Sequence, residues 1–272
     1  MKRIPETFAR LKRENRAAFI PYLMVGDPDL ATTERLLCAL ADLGCDAIEL
    51  GLPFSDPVAD GPVIQAAGLR ALKNPASFSD IFAMIRRFRQ KYAHIPLVFM
   101  GYANPVYRYG TEMFCNEASH AGVDALLLVD VPMEEQGTFT HPALPLIPLM
   151  TPLTPKDRQA AILASCDPNS FVYLVARVGI TGKATTLTGT LRILYETVKK
   201  QSHVPVVLGF GIKTPHDIAH VATFADGVVM GSAFVNLYAR THPLLMGETL
   251  HPDVQVFIED CCQSTYTFPK KG

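Results

Sequence analysis

The twenty residues Asp46-Ala-Ile-Glu49-Leu-Gly51-Leu-Pro53-Phe-Ser-Asp56-Pro57-Val-Ala-Asp60-Gly61-Pro62-Val-Ile-Gln65 decide how the chain is read. They start as a short apolar strand, residues 46–50, and then lose regularity. Gly51, Pro53, Pro57, Gly61 and Pro62 break any continuous helix or strand, because each Pro lacks a backbone donor and Gly tolerates unusual dihedrals. Side chains alternate along a strand, so Ala47 and Glu49 share one face, and Ile48 and Leu50 the other. A strand buried on both faces places the Glu49 carboxylate near a core at considerable cost. Such an acid is either paired for structure or catalytic.

Working outward, the same unit recurs. Apolar runs at 18–25, 46–50, 94–100, 123–129, 144–149, 171–175, 204–208 and 225–230 read as eight strands. Helical patterns lie between them at 32–43, 63–72 with 78–92, 111–120, 156–165, 190–200, 214–223 and 232–239. Thr32 or Thr33 caps the first of these, and Gly44 ends it. An amphipathic helix at 2–15 precedes the first strand, and a last helix at 253–262 precedes a polar tail. Residues 101–105, Gly-Tyr-Ala-Asn-Pro, read as a loop. Parallel strands need crossovers, so repeated βα units imply a parallel sheet with helices outside. Eight units in about 250 residues predict closure into a (β/α)₈ barrel, an α/β TIM barrel with an extra N-terminal helix. An open doubly wound sheet is the alternative. No composition break divides the chain, so residues 1–272 read as one domain.

Composition removes several function classes. The 272 residues are 49% hydrophobic and 19% charged, with net charge −1. Near-neutrality gives no electrostatic case for nucleic acid or an anionic membrane. No run of about 18 apolar residues is present. The polar start lacks the apolar core of a signal peptide, and six cysteines occur without a Cys-x-x-Cys pair. The expectation is a cytoplasmic protein with reduced thiols and no metal site. His216 and His220, four residues apart, read as a solvated helix face.

Chemistry is expected where the strands end. Three late strands are followed by glycines: Arg177-Val-Gly179-Ile-Thr181-Gly182, Gly209-Phe210-Gly211-Ile212 and Gly231-Ser232. Glycine lets backbone N–H groups approach an anion, and a helix N-terminus adds about half a positive charge. Any one of these glycines suits a plain turn, but three on successive strand ends point to a phosphate monoester. No Lys or Arg is required by such a cradle. Opposite lie Glu49, a strand-end carboxylate able to shuttle a proton, and Asp60, which by itself reads as a turn residue because Gly follows it.

The segment from Glu49 to Gln65 resembles the signature of the tryptophan synthase α-subunit family. Gly26-Asp27-Pro28, Tyr102-Ala-Asn104-Pro105, Asp130-Val-Pro132, Tyr173 through Gly182, Gly209 through Ile212, and Gly231-Ser232 match in order. The resemblance implies retro-aldol cleavage of indole-3-glycerol phosphate to indole and glyceraldehyde 3-phosphate. It implies no cofactor in this chain, and a pyridoxal-phosphate β subunit as partner in an α₂β₂ complex that receives the indole. By the same resemblance Glu49 is the acid/base and Asp60 the carboxylate facing the ring N–H. Gly182, Gly211, Gly231 and Ser232 hold the phosphate. Tyr22, Met100, Leu127, Val129, Met150, Tyr173 and Phe210 line the ligand pocket, while Thr181 meets Asp60 when the loops after strands two and six close. Asp56, Pro57, Asn104 and Pro105 face the partner. Tyr22 stands where phenylalanine is common, the run 183–189 is less typical, and the tail from Gly247 matches little. The alternatives are a silent regulatory subunit that only activates a β partner, and another phosphosugar barrel.

Overall fold

The computed structural model describes residues 2–175, 184–209, 211–241 and 250–266, with side chains of the helix at 184–201 described from 191 onward. Eight parallel strands carry the site: β1 (Ala18–Met24), β2 (Ile48–Gly51), β3 (Leu97–Gly101), β4 (Ala125–Leu128), β5 (Leu149–Met150), β6 (Val172–Val175), β7 (Val206–Gly209) and β8 (Gly227–Met230). Their order is β4-β3-β2-β1-β8-β7-β6-β5. The ring is joined across its ends by the chain leading into β5, where Leu126 pairs with Leu146. There Leu126 N–H donates to Pro145 O at 2.9 Å, and Ile147 N–H donates to Leu126 O at 2.8 Å. The (β/α)₈ barrel expected from the repeat is therefore present, with α1 (Arg3–Arg13) ahead of it. Ile4, Phe8 and Leu11 of that helix are buried, as their spacing predicts.

The helices that shape the mouth are α2 (Leu30–Asp42), α3 (Pro62–Ala71), α4 (Phe78–Lys91), α5 (Ala103–Tyr109) and α6 (Thr111–Ala121) in the first half. In the second half come α7 (Lys156–Ala164), α8 (Ala184–Gln201), α9 (Pro215–Ala222), α10 (Ser232–Thr241) and α11 (Pro252–Ser264). Two local expectations need correction. The cap of α2 is Asp29, whose side chain accepts from Thr32 N–H; Thr33 Oγ1 is instead engaged by Gly26 N–H at 2.9 Å. The stretch read as a loop at 101–105 opens α5, so Asn104 and Pro105 lie in its first turn, where a missing proline N–H costs nothing. Its first N–H, on Ala103, is capped by Asp130 Oδ1 from the end of β4 at 2.9 Å.

Two buried carboxylates, Asp46 and Asp27, are held by arginines. Asp46, just before β2, accepts two bonds from Arg16 at 2.7 Å and one from Phe19 N–H at 3.1 Å. Asp27, after β1, accepts two bonds from Arg70 of α3 at 2.7 Å and one from Tyr238 of α10 at 3.0 Å. The second arrangement fixes α3 and α10 to one carboxylate, and these two helices flank the mouth.

Candidate active site

At the C-terminal ends of the strands lies a cavity of about 770 Å³, large enough for a bicyclic ring with a phosphorylated side chain. Glu49 stands in its wall, 2% exposed. Parallel register sets Glu49 beside Tyr22 of β1. Unlike Asp46 three residues earlier, Glu49 has no hydrogen bond or ion pair to its carboxylate among the described residues. No described residue pairs it as a structural acid. Burial, followed by the nearby Asp60 carboxylate, pushes its pKa up to about 8. At neutral pH Glu49 is a proton-carrying acid inside a cavity, the condition suited to general acid chemistry.

Asp60 reaches the same cavity from the irregular loop after β2. The loop is held by its own turns, Val58 N–H to Asp56 O at 2.9 Å and Asp60 N–H to Pro57 O at 3.1 Å. It is held also by Tyr102, whose hydroxyl accepts from Ala59 N–H at 3.1 Å and whose ring lies 5.2 Å from that of Phe54. Burial raises the Asp60 pKa, and a hydrogen bond from Tyr102 opposes the rise. The Asp60 carboxylate precedes Gly61, the cap of α3, and so sits at a helix N-terminus. The role of Tyr102 is not legible in the sequence, because its position depends on helix α5, whose N-cap it is.

Met100 and Tyr173 complete the inner wall. Burial, then Glu49, raises the Tyr173 phenol pKa well above its ordinary value. Burial does the same for Tyr22. Gly211, Gly231 and Ser232 line the far end. Gly211 has φ +92°, a conformation that favours glycine, and Gly231 O accepts the first intrahelical bond of α10 from Val235 N–H at 3.0 Å. The N–H groups at 232–234 therefore have no carbonyl partner within the helix, which makes an anion site of this end.

Three expected pocket residues do not line this cavity. Leu127 and Met150 are wholly packed in the barrel core. Val129 borders a separate cavity of about 300 Å³ beside Thr154 and Arg158. Thr181, Gly182 and Phe210 lie outside the described residues. Among the described residues no three His, Cys, Asp or Glu side chains converge as a metal site, and His216 and His220 are exposed. No helix among them is long and apolar enough to cross a membrane.

A buried glutamate with a raised pKa and no partner among the described residues, beside a second carboxylate in one barrel mouth, marks a barrel enzyme of acid–base type. Comparison with known proteins gives the particular family. The family model described as tryptophan synthase alpha chain matches residues 8–250. Tryptophan synthase subunit alpha from Legionella pneumophila is 34% identical, with a TM-score of 0.87 over 97% of this chain and 98% of that one. A chain of tryptophan synthase from M. tuberculosis is 30% identical, with a TM-score of 0.81 over 97% and 98%. The chain belongs to the tryptophan synthase α-chain family, which carries out the carbon–carbon lyase half-reaction of tryptophan biosynthesis.

Proposed function

We propose that Glu49 and Asp60 carry the cleavage of indole-3-glycerol phosphate in this cavity, with Gly211, Gly231, Ser232 and the undescribed Gly182 holding the phosphate. The observation that supports this most is a buried glutamic acid with no partner among the described residues, its pKa lifted to about 8. Protonated Glu49 delivers its proton to carbon 3 of the indole, and positive charge moves to the ring nitrogen. Asp60, an acceptor across the cavity, stabilises that charge through the ring N–H. The Glu49 carboxylate then takes the proton of the side-chain hydroxyl next to carbon 3. The carbon–carbon bond breaks, its electron pair restores the aromatic indole, and the hydroxyl carbon leaves as the aldehyde of glyceraldehyde 3-phosphate. Glu49 ends with its proton back, so the cycle balances without a cofactor in this chain. Tyr22, Met100 and Tyr173 form the wall against which the flat ring rests.

The partner in this reading is a β subunit carrying pyridoxal phosphate, in an α₂β₂ assembly. The face that supports it joins the loop after β2 to α5. Asp56 and Asn104 are exposed there, Pro57 and Pro105 half-buried, and Val58 and Tyr107 present apolar surface at 86% and 66% exposure. Apolar side chains so exposed fit a contact surface. The six cysteines are free, which fits a cytoplasmic setting. The test is release of indole and glyceraldehyde 3-phosphate from indole-3-glycerol phosphate by the purified chain, alone and with its β subunit. Turnover that the β subunit accelerates supports the proposal. β activation without cleavage under either condition would instead identify a silent regulatory subunit.

A further inference from the structure

The cavity is charged unevenly. Its two acids, Glu49 and Asp60, stand at the β2 end, while two cations, Lys213 and Arg240, border it beside Gly211, Gly231 and Ser232. Lys213 follows Gly211-Ile212 immediately. Arg240 lies on α10 two turns beyond Ser232, with Asn236 between them, so the three side chains form one stripe that lines the cavity. Helical side chains lean toward the helix N-terminus, which turns Asn236 and Arg240 back toward Ser232.

Both cations are exposed, and their charges are free to meet a ligand. Among the described residues neither Lys213 nor Arg240 makes a side-chain hydrogen bond or an ion pair. The acid closest to Lys213 in the chain, Asp217, is already engaged. Its Oδ2 accepts from the backbone N–H groups of Lys213 and Thr214 at 3.0 and 2.9 Å, closing the capping box of α9. A phosphate monoester carries nearly two negative charges, and one helix end supplies only about half a compensating charge. The cradle alone leaves most of that charge unmatched.

We propose that Lys213 and Arg240 bind the phosphate end of the substrate from outside the glycine cradle, so that these two side chains, and not the backbone alone, set the affinity for a phosphorylated substrate. This rests on the reading of the cavity as a site for a phosphomonoester. It amends the sequence-based expectation that no Lys or Arg is required there.

The test uses full-length protein and two readouts. The first is the Kd of sn-glycerol 3-phosphate, by calorimetry, in a Glu49→Gln background where no turnover intervenes. The second is KM and kcat for indole-3-glycerol phosphate in the otherwise native chain. Lys213→Met and Arg240→Met are each expected to raise Kd and KM by roughly 3- to 10-fold while kcat holds, with a shallower salt dependence. Lys213→Arg and Arg240→Lys restore most of the loss. Kd and KM of the double Met variant within twofold of the parent's would overturn the proposal, as would a fall in kcat with Kd unchanged. If the parent neither binds glycerol 3-phosphate nor cleaves the indole substrate, the reading of the cavity itself falls, and this proposal with it.

Discussion

Tyr22 and Gly51 share one space: the phenol of Tyr22 fills the position that a Cβ on Gly51 would occupy. Register sets Tyr22 beside Glu49, so its ring leans two residues along β2 to cover Gly51. The same relationship recurs across the barrel. Tyr173 is registered with Val207, and its phenol occupies the space over Gly209, two residues on. Two strand glycines thus make room for the two tyrosines that wall the cavity. Gly51→Ala and Gly209→Ala are expected to cost about 1–3 kcal/mol of stability each, by overpacking, and to lower activity by tilting a ring. A double-mutant cycle by chemical denaturation checks this: Gly51→Ala costs less in a Tyr22→Leu background. Strict additivity would contradict it.

Stability should depend on pH through Glu49. Its carboxyl binds a proton up to about pH 8 in the folded chain, against an ordinary value near 4.5. Between those values the unfolded chain has lost the proton that the folded chain keeps, so stability falls as pH rises. The loss is on the order of a few kcal/mol across the window, and Gln at this position does not titrate. Thermal unfolding of the native chain and of Glu49→Gln, followed from pH 5 to pH 8, should therefore diverge. The native chain loses several degrees relative to the variant, whereas parallel curves would count against a raised carboxyl.

Tyr102 opposes the rise that burial imposes on the Asp60 pKa. Its hydrogen bond lowers the Asp60 pKa against the effect of burial. Tyr102→Phe removes that opposition, so Asp60 keeps its proton to higher pH. The acid limb of the kcat/KM profile should move upward in pH. An unmoved limb separates Tyr102 from the site.

Asp46 shows what a structural acid looks like in the same stretch. With Arg16 it forms a pair whose side chains are 4% and 2% exposed. Arg16→Met leaves that carboxylate buried without its main partner, at a cost of about 3–5 kcal/mol. Pairing Arg16→Met with Asp46→Leu should recover much of the loss in urea denaturation, since no charge is then stranded.

The barrel was legible because short continuous apolar runs and helical spacing are local signals, and eight such runs with helical patterns between them leave few architectures. The place of Glu49 was legible for the same reason, since an acid in an otherwise apolar strand end is a local anomaly. Distant partners left no such mark. Helix α5 is capped by Asp130, 27 residues beyond Ala103, so the stretch 101–105 looked like a loop and Tyr102 stayed unassigned. Lys213 and Arg240 carry no local signal, because only the folded chain puts them on the rim of one cavity. Leu127 and Met150 sit on strands that line the mouth, yet their side chains are spent on the core.

The central claim is that Glu49 moves both protons of the cleavage. Its most direct test is the single-turnover rate of indole-3-glycerol phosphate cleavage by Glu49→Gln, measured with saturating β subunit and compared with the native chain. The account predicts a loss of at least about 10²- to 10⁴-fold, with sn-glycerol 3-phosphate still bound at native affinity. A variant that cleaves within a few-fold of the native rate would contradict it.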